Sequence, residues 1–178
     1  MLNKTFLRNG VETPAINPKF ESTKIFILMS DFSKQLPVAI GSDHAGFEYK
    51  EAIKKHLELA GWQVRDFGTR STDSVDYPDY AHPTAAAVEA GEVAFGVLIC
   101  GSANGVAITA NKHQGVRAGL CWDHEVAKLV RLHNDANIIC LPARFVALQY
   151  AIQMVETFVN TSFEGGRHGT RVGKMACM

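Results

Sequence analysis

Two short stretches of this sequence place reactive side chains among small residues. Gly41-Ser42-Asp43-His44-Ala45-Gly46 sets a carboxylate beside an imidazole, and Cys100-Gly101-Ser102-Ala103-Asn104-Gly105 sets a thiol and a hydroxyl in a glycine-containing turn. An acid, an imidazole and a thiol are the parts of proton transfer or nucleophilic catalysis. Backbone N–H groups of a small-residue loop that opens a helix are suited to hold a phosphate or a developing enediolate oxygen. A third group follows in Arg131-Leu132-His133-Asn134-Asp135, Arg144, and Gly165-Gly166-Arg167-His168-Gly169-Thr170-Arg171. Guanidinium forks and an imidazole suit a phosphate dianion.

Each residue also has a plainer reading. Asp43 is a preferred residue type for capping a helix that begins at Phe47, and His44 is then a surface imidazole. Most free cysteines are small buried hydrophobes, the reading taken here for Cys121 and Cys140. The arginines taken singly are solvated surface residues, and His133 near a helix end favours the macrodipole. Only the combination points to a site. A Cys-x5-Arg phosphatase needs Arg six residues after the thiol, where this chain has Val106. A receiver domain needs an acceptor Asp at the end of the third strand, and a dinucleotide fold needs Gly-x-Gly-x-x-Gly after the first. Neither is present.

The elements that must carry these residues read as a βα alternation from Val38 onward. Val38–Ser42, Trp62–Phe67, Phe95–Cys100, Val116–Leu120 and Asn137–Leu141 have strand character. Helical spacing covers Phe47–Ala60, closed by Gly61; a helix N-capped by Asp79 and reaching Ala90; a helix entered from the glycine loop and running through Asn111; Asp123–Leu132; and Phe145–Val159. Alternation of this kind predicts right-handed crossovers and a Rossmann-like α/β fold, a doubly wound five-stranded parallel sheet in a three-layer α/β/α sandwich. Ligands of such sheets sit beyond the carboxyl ends of the strands at the topological switch point, commonly between the first and third strands. Asp43, His44 and Cys100 end those two strands.

Bulk properties narrow the classes. The 178 residues carry 18 basic and 18 acidic groups, so no long-range field draws the chain to nucleic acid or an anionic membrane. Apolar runs such as Phe95–Cys100 are strand length, far short of the roughly 20 residues of a membrane span. Four cysteines without a Cys-x-x-Cys pair fit free thiols in the cytoplasm. Residues 1–36, broken by Asn9-Gly10, Pro14 and Pro18, read as a poorly ordered N-terminal extension, and Met29 as a candidate internal start. Residues 37–178 then form one domain with a C-terminal helical tail.

The sequence resembles the ribose-5-phosphate isomerase B family, within the wider group that includes galactose-6-phosphate isomerase subunits. The resemblance spans Val38 to about Val172. It rests on Gly-Ser-Asp-His-Ala-Gly-Phe (41–47), Asp-Tyr-Pro (76–78), Cys-Gly-Ser-Ala-Asn-Gly (100–105), Ala-Asn-Lys (110–112), Gly-Val-Arg-Ala (115–118), His-Asn-Asp-Ala-Asn (133–137) and Glu-Gly-Gly-Arg-His (164–168). It implies an aldose–ketose isomerase of the pentose phosphate pathway that interconverts ribose 5-phosphate and ribulose 5-phosphate without metal or other cofactor. Cys100 would be the base, His133 with Asp43 would open the furanose ring, and Ser102 with Gly101, Asn104, Gly105 and nearby amides would bind the substrate and stabilise the enediolate. Tyr77 and Asn134 would orient the sugar, and His44, Arg144, Arg167 and Arg171 would hold the phosphate. The family builds its sites at a dimer interface, so the resemblance implies a homodimer or dimer of dimers with shared active sites.

Two departures stand out. Some family members carry Glu just after the glycine loop as their base, where this chain has Val106, which points to Cys100. The usual Gly before Asn104 is Ala103, which would be strained if its φ were positive. An allose or galactose 6-phosphate isomerase and a non-catalytic sugar-phosphate-binding subunit are the alternatives. Pocket depth separates the first, and intact Cys100 and His133 speak against the second.

Overall fold

The computed structural model describes residues 31–176. Five strands, β1 (Val38–Ser42), β2 (Val64–Asp66), β3 (Gly96–Cys100), β4 (Ala118–Leu120) and β5 (Ile138–Pro142), form one wholly parallel sheet in the order β2-β1-β3-β5-β4. Among the described residues six α-helices complete the fold: α1 (Phe47–Leu59), α2 (Pro78–Glu89), α3 (Asn104–Ala110), α4 (His124–Asn134), α5 (Leu148–Val159) and α6 (Gly166–Val172).

Strand order follows from where the chain turns back. It leaves β1 for β2 on one side, then crosses to β3 on the other, so the switch point lies between β1 and β3, as the alternation predicted. β4 overshoots and β5 returns into the gap beside β3. Right-handed crossovers then put α1 and α4 on one face and α2 and α3 on the other. The side chains of β3 obey this division: Val97 and Ile99 enter the core with Ile53, Ala127 and Phe158, while Leu98 and Cys100 enter the core with Ala85, Val106 and Ala107. Burial on both faces explains why β1, β3 and β5 are apolar almost throughout.

The expected elements are present, with corrections at their ends. β2 and β4 are shorter than Trp62–Phe67 and Val116–Leu120, because each is an edge strand with a ladder on one side only. Asp79 does not cap α2. Tyr77 is the N-cap and Pro78 holds the first helical position, where its fixed φ is favourable and its missing N–H costs nothing. α5 begins at Leu148 and not at Phe145, since Phe145 N–H turns back to Pro142 O at 2.9 Å. Gly61, at φ 85°, ends α1 in the left-handed conformation its position required.

Of the extension expected over residues 1–36, residues 1–30, Met29 included, lie outside the described residues. Residues 31–36 pack on the domain. Phe32 meets Phe95 and Phe158 with ring centroids 4.8 and 5.7 Å away. Asp31 pairs with Arg131 at 3.1 Å and accepts the Phe163 N–H at 2.7 Å.

Arg131 itself is 1% exposed and donates to Asp135 and to the carbonyls of Ala136 and Thr161, under the Phe32 ring. Taken singly, Arg131 reads as a solvated surface arginine, and the structure corrects this: all its charge is spent inside the fold.

Candidate active site

β1 and β3 end side by side, and their exits form a crevice of about 270 Å³ lined by Asp43, His44, Ala45, Tyr77, Cys100, Gly101, Ser102, Gly105 and Arg144. Eight of these nine are residues the sequence singled out. Ala45 is the addition.

Asp43 does not cap α1, whose N-cap is Gly46, but the turn just before it. Its carboxylate accepts the N–H groups of Ala45 and Gly46 at 3.0 and 3.1 Å, capping a short 3-10 turn (His44–Gly46) that leads into α1. The turn fixes the side chain at the mouth of the crevice, 8% exposed. His44 Nδ1 accepts the Val75 N–H at 3.2 Å, so the ring proton of the neutral imidazole sits on Nε2 and is free for a ligand.

Cys100 ends β3 with 5% of its surface exposed, yet it lines the crevice and is not sealed in the core. Burial, then the neighbouring Asp43 carboxylate, push its thiol above the ordinary range. The amides of Val106, Ala103 and Ser102 pull it partly back. In the single chain burial and the carboxylate therefore outweigh the loop amides. The Ala103 N–H lies 3.1 Å from the sulfur, so one amide expected to face the substrate serves the thiol instead.

That contact depends on backbone shape. Ala103 has φ 61° and ψ −6°, the left-handed region, and is the N-cap of α3. For a residue with a Cβ this costs on the order of 1–2 kcal/mol, strain that glycine would avoid. The methyl is fully buried in the α2/α3 core, which offsets part of it.

Tyr77 reaches the crevice from the N-cap of α2 and lies flat against Gly105, where an added Cβ would fall 2.6 Å from the ring. Arg144 lies over Gly101, and its own N–H donates to Gly101 O at 3.1 Å. Ser102 is exposed at the rim. Asn104 is exposed on the first turn of α3 and does not line the crevice.

The second expected group is elsewhere. None of His133, Asn134, Arg167 and Arg171 lines the crevice. His133 ends α4 and stacks on His168 of α6, with Glu164 beside both rings. Asn134 lines a separate cavity of about 420 Å³ at the β4 edge, together with His113, Arg117 and Val172. Arg167 and Arg171 are exposed on α6. The residues assigned to one site thus form two clusters in one chain. Glu164 and His168 belong to the Glu-Gly-Gly-Arg-His motif but neither is assigned a role from sequence, although their i,i+4 spacing was the available signal.

The crevice can abstract and return a proton at a carbon acid, with Arg144 and His44 ready for an anion. Its volume lies just below the roughly 300–1,000 Å³ usual for a ligand pocket, as suits part of a site. Among the described residues no helix is long and apolar enough to cross a membrane.

Comparison with known proteins agrees with this chemistry. The profile of the family described as Ribose/Galactose Isomerase matches residues 38–175. Ribose-5-phosphate isomerase B of Escherichia coli K12 is 44% identical over 135 residues, covering 76% of this chain and 91% of its own. A Thermotoga maritima ribose 5-phosphate isomerase structure superposes with a TM-score of 0.77 at 45% identity, covering 79% of this chain and 97% of its own. The Mycoplasma genitalium ribose-5-phosphate isomerase B, solved with bound ribulose-5-phosphate, gives a TM-score of 0.76 at 39% identity, covering 79% and 93%.

Proposed function

We infer that this chain, which belongs to the ribose/galactose isomerase family, interconverts ribose 5-phosphate and ribulose 5-phosphate. The observation that carries the mechanism is the Cys100 thiol at the end of β3, in one crevice with Asp43, His44, Ser102 and Arg144.

Ring opening comes first. Asp43 takes the proton of the anomeric hydroxyl as the bond from C1 to the ring oxygen breaks, and His133 gives a proton to that oxygen. The Cys100 thiolate then removes the proton from C2. The electron pair moves toward the carbonyl oxygen, and the enediolate is held by Ser102 and the loop amides. The O2 hydroxyl then passes its proton to O1 as C2 becomes the carbonyl, and returning the first proton to C1 completes the ketose. Two protons move within the substrate, one between carbons and one between oxygens, so the balance closes without an external oxidant or reductant.

His44 and Arg144 hold the phosphate from one side and Tyr77 faces the sugar. Asn134, Arg167 and Arg171 come from a second copy of the chain, which also brings His133. The division of these residues into two clusters supports a homodimer with shared sites, since one copy alone has the base without the ring-opening imidazole. Pairs of such dimers would keep the same site.

Wild type and Cys100→Ala are compared on ribose 5-phosphate, with ribulose 5-phosphate as the measured product. Loss of at least about 100-fold in kcat is expected for removal of the base. Turnover that survives the substitution takes Cys100 out of the mechanism. Allose and galactose 6-phosphates, run in parallel, should be turned over far less well.

A further inference from the structure

His133 does not stand alone at the end of α4. Its ring lies parallel to that of His168, with an interplanar angle of 3° and centroids 4.1 Å apart. Glu164 Oε2 is 3.6 Å from His133 Nε2 and 3.9 Å from His168 Nε2, within ion-pair range of both. The backbone locks these three together: the Glu164 N–H donates to Leu132 O at 3.0 Å, one residue before His133. Gly165 and Gly166, both at positive φ, then turn the chain into α6 so that His168 comes back under the His133 ring.

Two imidazoles and a carboxylate within 4.8 Å of one another also have the spacing of a cation site. The stacking speaks against it. An imidazole nitrogen donates its lone pair in the ring plane, and two parallel planes share no point where one ion could sit. His168 Nε2 is also engaged, accepting from Arg167 Nε at 3.3 Å. The arrangement is that of a proton site.

The two rings are not equivalent. His168 is 4% exposed while His133 is only partly buried. Burial, then His133, hold His168 below the ordinary histidine range, and Arg167 and Arg171 act in the same direction against Glu164. His133 is the ring of the pair that retains access to water.

We propose that Glu164 and His168 are positioning residues for His133: the His168 ring fixes the plane of the His133 imidazole, and the Glu164 carboxylate favours its protonated form for donation to the sugar ring oxygen. This rests on the ring-opening role assigned to His133 above. The groups facing His133 are then one carboxylate, Glu164, and one neutral imidazole, His168, with the Arg167 and Arg171 guanidinium groups on the same helix as His168.

The test is a ring-proton NMR titration of His133 in the full-length protein, alongside kinetics on ribose 5-phosphate. Glu164→Gln removes the charge from an exposed position and should move the His133 ring-proton titration to lower pH. On ribose 5-phosphate kcat should fall about tenfold with KM within about twofold. His168→Phe keeps a flat ring in the stack and should retain most of kcat, whereas His168→Ala should lose about tenfold. An unmoved His133 titration and kcat in Glu164→Gln overturns the proposal, whatever the fate of the more buried His168 variants. A His133→Ala enzyme with full turnover would instead overturn the ring-opening role, and the NMR titration would still report whether Glu164 governs the His133 proton.

Discussion

At the scale of single residues the reactivity of Cys100 is set by a contest between neighbours. Burial and the Asp43 carboxylate oppose the thiolate, and three loop amides favour it. The raised thiol is mostly protonated at neutral pH, so alkylation of Cys100 should speed up as pH rises above 7. The other two described cysteines are suppressed much further by burial, Cys121 to about 12 and Cys140 well above its ordinary value. In a Cys177→Ser background iodoacetamide should therefore modify Cys100 alone, as intact mass and peptide mapping would show. Asp43→Asn keeps the oxygen that caps the 3-10 turn and removes the charge that opposes the thiolate. Alkylation of Cys100 should become faster at fixed pH while isomerisation slows, because the same carboxylate is assigned to ring opening. Slower alkylation would mean that Asp43 does not govern the thiol.

At the scale of elements, the parts that hydrophobic period and turn chemistry dictate were legible in the sequence. The five strands, the helices between them and the switch point follow from β-rich runs alternating with three-to-four spacing, and they bring Asp43, His44 and Cys100 to one crevice. What escaped depends on contacts across the fold. At Ala103 the family's usual glycine raises the question of a positive φ but the residue itself does not answer it; the left-handed φ is imposed by a loop that turns an amide onto the Cys100 sulfur. Arg131 reads as a surface or phosphate-binding charge until Phe32, Phe158, Asp31 and Asp135 are seen around it. This arginine joins α4 to the segment before β1. Arg131→Met would keep much of the packed volume but take this donor from the Ala136 and Thr161 carbonyls and leave Asp31 and Asp135 with only the Phe163 N–H and Arg117. Asp31 and Asp135 remain partly hydrated, so a cost of about 3 kcal/mol is expected, at the low end for breaking a buried ion pair. Urea unfolding should show a reduced midpoint at unchanged m-value. A loss under about 1 kcal/mol would mark the network as dispensable.

At the scale of the whole molecule, the separation between the Cys100 crevice and the His133 cluster decides what the active unit is. Periodicity and spacing gave no hint of this separation; the family resemblance alone implied shared sites. Large apolar side chains stand exposed near the strand ends, among them Tyr77, Trp122 and Phe145, and a second copy of the chain would cover such surface. If each site joins the crevice of one protomer to the His133 cluster of its partner, two dead variants should rescue one another. Cys100→Ala and His133→Ala homodimers each lack one part in both sites. A mixed dimer has one site missing both parts and one site with both intact. Co-expression at equal levels makes about half the dimers mixed, so about one quarter of wild-type activity should return. Separately purified variants should recover activity only as fast as subunits exchange. A co-expressed pair as inactive as its parents would mean that one protomer supplies both residues to its own site.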